Sequence, residues 1–152
     1  MKKIKIYLAG DVSRTFRWRL VVMKECQDLP IEFLSPRDNL IYSHQSMSKH
    51  HKKEHSFHIE DIQKVQWADI VFAYMSQQSK SWYCGTSIEM FYASYVLRKP
   101  VFFVNELKPA KQHKLQFAIR FADPNLTFKS LDEGISALRK YVLNMNYLPQ
   151  ED

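Results

Sequence analysis

A chain of 152 residues, 45% hydrophobic and 25% charged, is one globular domain's worth of sequence, long enough to bury a sizeable core. Its three glycines, Gly10, Gly85 and Gly134, cannot build a G-x-G-x-x-G fingerprint or a Walker A loop, so dinucleotide-fold cofactor binding and P-loop chemistry drop out. The net charge of +6 leans toward the N-terminus and suits a phosphorylated small molecule or a polyanion, or serves solubility alone.

Ile4 to Ala9 is a short apolar run stopped by Gly10-Asp11, which reads as a buried strand and a turn. Helical spacing follows from Ser13, through Phe16, Leu20 and Met23, and ends before Leu29-Pro30. Ile31 to Leu34 is a second strand. Residues 36 to 56 show no period and are rich in Ser, His and Lys, which predicts a long exposed, mobile loop able to fold over a site. Helical spacing resumes at Phe57, Ile62 and Val65, and Asp69 to Tyr74 is a third strand. A polar loop over 76 to 83 leads to Gly85, after which Ile88, Phe91, Tyr92, Tyr95 and Val96 follow the spacing of an amphipathic helix facing a core. Val101 to Val104 is a fourth strand. A helix over 111 to 121, a short strand near 126 to 128 and a helix from Asp132 to about Asn144 complete the chain.

This alternation predicts a single α/β domain over 1–152: a flavodoxin/Rossmann-like three-layer sandwich with a parallel sheet of about five strands. Ligands of such sheets bind outside the carboxyl ends of the strands at a switch point, which directs attention to the turn after Leu8, to Asp61 and to the 76 to 89 segment. Two cysteines, Cys26 and Cys84, form no C-x-x-C pair, and nothing reaches ~18 uninterrupted apolar residues, so a soluble, cytoplasmic protein without membrane attachment is expected.

Several constellations carry chemistry, each with a plainer reading beside it. Glu89 falls in the first turn of the helix opened by Gly85, Thr86 and Ser87, where the helix dipole favours an ionised carboxylate that can attack an electrophile. Thr86-x-x-Glu89 is equally a capping box. Asp61 is a candidate acid, or half of a surface pair with Lys64. The turn Gly10-Asp11-Val12-Ser13-Arg14 offers backbone N–H groups, a hydroxyl and a guanidinium to an anion such as a 5′-phosphate, or Asp11 or Ser13 simply caps a helix whose arginines face solvent. His51-x-x-Glu54-His55 has an inverted-zincin spacing without the setting a catalytic zinc needs, so no metal is assigned. Cys84 reads as a structural thiol.

Ala68-Asp69-Ile70-Val71-Phe72-Ala73, then Gly85-Thr86-Ser87-Ile88-Glu89-Met90-Phe91-Tyr92-Ala93, then Arg98-Lys99-Pro100-Val101, together with the opening Lys5-Ile6-Tyr7-Leu8-Ala9-Gly10, resemble the nucleoside 2-deoxyribosyltransferase family and its nucleotide N-glycosidase relatives. The resemblance spans residues 4 to about 105 in order. It implies that Glu89 attacks the anomeric carbon of a sugar to give a covalent glycosyl-enzyme. It further implies that Asp61, eight residues before Asp69, protonates the departing base, and that Tyr7 lies beside the nucleophile. Retaining glycoside chemistry likewise uses two carboxyl groups at ~5 Å separation, and calls for no cofactor. One departure stands out: Tyr83 occupies the position, six residues before Glu89, where the transferases hold the nucleobase with an aspartate and some nucleotide-hydrolysing relatives carry serine. Tyr83 and Trp82 could stack on a base, or pack on their own domain as a lid.

The expected function is therefore cleavage or transfer at the N-glycosidic bond of a (deoxy)nucleoside or nucleoside 5′-monophosphate, with Glu89, Asp61 and Tyr7 catalytic and Gly10, Asp11, Ser13, Arg14, Tyr83, Gly85 and Thr86 binding substrate. The resemblance also implies a homo-oligomer. The alternative is a non-catalytic nucleotide-binding or sensing module on the same scaffold, and a nucleic-acid binder is a weaker third reading.

Overall fold

Strands that are apolar at consecutive positions need cover on both faces, and the central strands of this chain are of that kind. The computed structural model describes residues 2–10, 17–36, 54–77, 83–112 and 116–146. Its strands are β1 (Ile4–Gly10), β2 (Ile31–Leu34), β3 (Ile70–Ser76), β4 (Val101–Glu106) and β5 (Thr127–Phe128). They form one sheet of order β2-β1-β3-β4-β5, every neighbouring pair parallel. The helices are α1 (Trp18–Glu25), α2 (Glu54–Trp67), α3 (Cys84–Phe91), α4 (Pro109–Gln112), α5 (Gln116–Phe121) and α6 (Leu131–Asn146). This is the expected flavodoxin-like architecture.

The period of two along each strand divides the core into two layers. Ile4, Ile6 and Leu8 of β1, Phe72 of β3 and Phe102 and Val104 of β4 pack against Trp18 and Val22 of α1 and Ile135, Leu138 and Val142 of α6. Tyr7, Ala9, Val71, Ala73, Met75 and Phe103 face the other way, onto Val65 of α2, Met90 of α3 and Ala93 beyond it. Connections leave β1 toward β2 on one side and β3 toward β4 on the other, so the chain reverses between β1 and β3. The crevice outside the carboxyl ends of those two strands is where such a sheet receives a ligand.

Several expected boundaries move. α2 begins at Glu54, three residues before the first apolar position of its period, while residues 37–53 of the expected loop lie outside the described set. The helix after β3 begins at Cys84, not after Gly85, and passes from α3 into a π-helical turn at Tyr92–Val96, where the Leu97 N–H donates to the Tyr92 carbonyl at 3.0 Å. Arg98 closes it in the left-handed region at φ 56°.

The apolar stripe on this helix also faces differently from expectation. Ile88, Tyr95 and Val96 are exposed, and the residues turned to the sheet are Thr86, Met90 and Ala93. The sheet presents Ala9 and Ala73 beside Tyr7, Met75 and Phe103 on this face, and Phe91 and Tyr95 cluster with Phe121 of α5, with ring centroids 4.9 to 5.6 Å apart. No helix among the described residues is long and apolar enough to cross a membrane.

On the opposite layer α6 lies so close that a Cβ added at Gly134 would meet Val104 Cγ2 at 2.3 Å and Phe72 Cζ at 3.3 Å. Alanine is the better helix former by about 1 kcal/mol, but overpacking a core contact costs about 1–3 kcal/mol. Gly134→Ala is therefore expected to lower the urea midpoint, and an unchanged or raised midpoint would show that α6 can shift away freely.

Candidate active site

Three buried side-chain atoms among the described residues close no hydrogen bond of ordinary geometry: Tyr7 Oη, Glu89 Oε2 and Ser35 Oγ. All belong to the β2-β1-β3 side of the sheet. An orphaned buried polar atom costs about 1–3 kcal/mol.

Tyr7 is fully buried on β1, on the face that meets α2 and α3. Its phenol stands beside the Glu89 carboxyl, near enough for each to act on the other's ionisation, without the two closing a regular bond through Oε2. Asp61, on α2, is only 8% exposed. Lys64 donates to the Ser35 carbonyl at 2.7 Å, tying α2 to the end of β2. The sequence-predicted catalytic residues therefore come together from three elements: Tyr7 from β1, Asp61 from α2 and Glu89 from α3.

Their electrostatics follow from burial. Glu89 is half-buried as a residue, yet Oε2 is closed off from solvent. Loss of solvent first, and the Asp61 charge second, push the Glu89 carboxyl up to about 8, while Tyr7 and Arg19 pull it down. Burial and then the Glu89 and Asp61 charges hold the Tyr7 phenol well above its ordinary range. The first-turn location expected for Glu89 is corrected here. The helix is capped by Tyr83 and starts at Cys84, so Glu89 lies in the second turn, where the dipole has faded and the Thr86-x-x-Glu89 capping box is absent.

Spacing between α2 and the Glu89 helix is held beyond the carboxylates. Gln66 Nε2 donates to Tyr92 Oη at 2.7 Å, and Lys99 Nζ donates to the Val65 carbonyl at 3.1 Å and to that of Gln66. At the start of β3 the Asp69 N–H donates to the Lys5 carbonyl at 2.7 Å, and the Lys5 N–H donates to Asp69 Oδ2 at 2.8 Å.

The expected binding residues divide. Asp11, Ser13 and Arg14 lie outside the described residues. Gly10 is enclosed: a Cβ there would meet the Trp18 ring at 2.7 Å and the Tyr74 carbonyl at 2.8 Å. Gly85 is the opposite, with nothing within 4 Å of an added Cβ, and it sits inside α3 rather than in a turn. Thr86 is buried on α3.

Of the two expected readings of Tyr83, stacking on a base or packing on its own domain, its burial accords with the second. It is 2% exposed within the core, and its hydroxyl accepts from the Ser76 N–H at 2.7 Å and donates to the Ser76 carbonyl at 3.0 Å. The left-handed backbone of Tyr83 (φ 52°) makes the turn into α3 while its ring pins that turn to the end of β3. Trp82 lies outside the described residues, as do His51 and the residues through Lys53.

Arg19, one of the helix arginines expected to face solvent or a 5′-phosphate, is not among the expected site residues. α1 has Arg17 as its N-cap with no side-chain capping bond, and Arg19 turns to the carboxyl end of β1 rather than to solvent. Its Nη2 donates to the Gly10 carbonyl at 3.0 Å and to the Leu8 carbonyl at 3.3 Å, with the guanidinium carbon 4.5 Å from the centroid of the Trp18 ring. Helical spacing could not disclose this, because the partners are backbone atoms of another element.

No protein-family model matches the chain, and no curated protein sequence matches it. Solved structures share its fold, and three of them illustrate the range. A 2-deoxyribosyltransferase from Leishmania mexicana is 18% identical with a TM-score of 0.63, the match covering 91% of this chain and 98% of that one. A 2-deoxyribosyltransferase from Bacillus psychrosaccharolyticus is 22% identical with a TM-score of 0.57, covering 93% and 94%. A conserved protein from Enterococcus faecalis is 19% identical with a TM-score of 0.52, covering 92% and 88%. The likeness in fold therefore extends well past residue 105, where the sequence resemblance stops.

Two outcomes follow from this geometry. The folded state holds the Glu89 proton more tightly than the unfolded chain, so that stabilisation is complete below pH about 4.5 and is lost as pH rises through about 8. Glu89→Gln should raise Tm at pH 8.5 by an amount equivalent to roughly 2–4 kcal/mol and flatten its decline from pH 6 upward. Equal pH slopes in the two proteins would contradict a buried Glu89 carboxyl. Tyr83→Phe should lower stability by about 1–2 kcal/mol in denaturant titrations while leaving ligand affinity unaltered, and a selective loss of affinity would return Tyr83 to the binding surface.

Proposed function

We propose that this protein cleaves or exchanges the N-glycosidic bond of a (deoxy)nucleoside or nucleoside 5′-monophosphate through a covalent glycosyl ester on Glu89. The observation that carries the reading is the enclosed meeting of Glu89, Asp61 and Tyr7 beside the β1/β3 switch point. It is supported by the fold shared with two proteins described as 2-deoxyribosyltransferases.

Two buried carboxyl groups that repel each other's ionisation retain one proton between them over a broad pH range. That single proton is what the chemistry requires. The shared proton, held on Glu89 in the free protein, passes to Asp61 when substrate binds; the Glu89 carboxylate then attacks the anomeric carbon, the bond from that carbon to the base nitrogen breaks, and Asp61 delivers its proton to the departing base. Water or a second base then attacks the same carbon, returning a proton to Asp61 and releasing Glu89. Tyr7 donates its hydroxyl hydrogen toward the Glu89 side of the site, positioning the nucleophile without ionising, because its own ionisation is strongly disfavoured.

Substrate binding is assigned to the Gly10, Asp11, Ser13 and Arg14 turn at the 5′ end, and to Gly85 and Thr86 on α3. The bare Gly85 supports close approach of a ligand to the helix. The orphaned Ser35 hydroxyl suits a ligand hydroxyl or base edge. A homo-oligomer belongs to the same reading, supported by the exposed apolar residues Ile88, Tyr95 and Val96 on the helix that carries Glu89 and its π-helical extension. The non-catalytic alternative draws on Tyr83, whose burial leaves no aspartate to grip a base at that position.

A panel of deoxynucleosides and their 5′-monophosphates should yield free base from at least one member, measured by chromatography. Glu89→Ala should reduce release at least ~10³-fold with the fold retained, and Asp61→Asn should do so most severely for poor leaving bases. Adding a competing base and finding a new nucleoside identifies transfer, and its absence identifies hydrolysis. No release from any member, with tight monophosphate binding, would establish the non-catalytic reading. Full activity in Glu89→Ala would remove the nucleophile assignment.

A further inference from the structure

A carboxyl pair shared between two helices is only as well placed as the helices themselves. Asp61 rides on α2 and Glu89 on α3, and both helices cover the same face of the sheet, α2 leading into β3 and α3 into β4. The end of α2 and the π-helical extension of α3 therefore meet just before β3 and β4 begin, at the edge of the sheet opposite to the ligand crevice.

We propose that Lys99, with the Gln66 to Tyr92 hydrogen bond beside it, is a positioning clamp at that far edge, which sets the separation of the Asp61 and Glu89 carboxyls without touching the substrate. Its effect on turnover rests on the glycosyl-transfer reading, but its effect on Glu89 itself does not.

The clamp is built from the way both helices stop. At the end of α2 the Lys64 carbonyl is taken by the Ala68 N–H at 3.0 Å. The next two carbonyls, of Val65 and Gln66, are among those that a helix end leaves without an intrahelical donor. Lys99 Nζ donates to both, at 3.1 Å to Val65, and brings a positive charge to the negative end of the helix dipole. Lys99 is aimed there by a π-helical turn over Tyr92–Val96 and a left-handed Arg98, after which its own N–H donates back to the Ala93 carbonyl at 2.9 Å. Such turns inside α-helices gather at functional sites. The same turn carries Tyr92, whose hydroxyl accepts from Gln66 Nε2 at 2.7 Å. Pro100 follows, its carbonyl accepting from the Val71 N–H at 3.1 Å, so the clamp is fixed to the amino ends of the two strands.

The clamp and the carboxyls share helix faces. Val65 follows Asp61 by four residues and Tyr92 follows Glu89 by three, the spacings that set residues one above the other on a helix. At 1.5 Å per residue the clamp points stand about 6 and about 4.5 Å along their helices from the carboxyls, so a shift at the clamp reaches the pair nearly undiminished. Opening the pair admits water to Glu89 and draws Asp61 away from it. Those are the two influences that hold the Glu89 proton, opposed by Tyr7 of β1 and Arg19 of α1. The Lys99 ammonium itself is favoured by the Asp69 charge.

The test uses Tyr92→Phe, which removes only the hydroxyl, Lys99→Met, which removes the charge and its donors, their double variant, and Lys99→Arg, which can reach the same carbonyls. Gly134→Ala, on α6 in the opposite layer, is the control for lost stability alone. The first readout is a ¹³C NMR titration of protein labelled at glutamate Cδ, with Glu89 assigned by its loss in Glu89→Gln. The Glu89 midpoint should fall by roughly 1 pH unit in the double variant, by part of that in each single variant, and return most of the way in Lys99→Arg, while Gly134→Ala leaves it in place. The second readout is base release, in which kcat of the double variant should fall about 10- to 100-fold with KM little changed, since about 1 Å of misplacement suffices for such a loss. An unmoved midpoint in the double variant, or in both single variants where the double does not fold, overturns the proposal. So does an equal fall in Gly134→Ala, which would make the midpoint a report on stability, and so does an undiminished kcat in the double variant. If the unaltered protein releases no base, the functional reading fails alone and the NMR midpoints still decide the role of the clamp.

Discussion

Two carboxyl groups kept from water within reach of each other's charge form the constraint around which this end of the molecule is organised. Asp61 and Glu89 belong to separate helices, so nothing in either helix keeps them together. The work falls to contacts farther along: the Gln66 to Tyr92 hydrogen bond and the Lys99 ammonium on the last carbonyls of α2 brace one helix against the extension of the other. Lys99 is held there at some expense to its own charge, since partial burial lowers its proton affinity. The Tyr7 phenol below and the Arg19 guanidinium at the strand end favour the ionised carboxylate that burial disfavours.

The same constraint accounts for the asymmetry of the two helical layers. On the side of α1 and α6 the sheet offers large residues, among them Phe72, Phe102 and Leu8, and the packing is that of an ordinary core. Opposite the Glu89 helix it offers Ala9 and Ala73, and the helix answers with Ala93 and Met90. Phe91 and Tyr95 of that helix and its extension meet Phe121 away from the sheet.

Much of the fold was readable because its signals are local. Ile31 to Leu34 and Val101 onward are bounded apolar runs, and their alternation with helical periods leaves few arrangements besides a parallel sheet. Asp61, Glu89 and Tyr7 were legible through motif order, which the geometry brings to one place. What escaped depends on distant partners. The apolar spacing of Ile88, Phe91 and Tyr95 marks an amphipathic helix but not which face meets the sheet, and the small Ala9 and Ala73 were the clue to that. Arg19 finds its partners on backbone carbonyls eleven and nine residues earlier, which leave no trace in side-chain spacing. A tyrosine in a left-handed turn has no sequence signature, since that conformation ordinarily selects glycine or asparagine.

Tyr83 also bears on how this chain can change over generations. An aspartate introduced there would bring a charge into a position 2% exposed and withdraw the phenol from both backbone groups of Ser76. Such a change would therefore weaken the junction of β3 and α3.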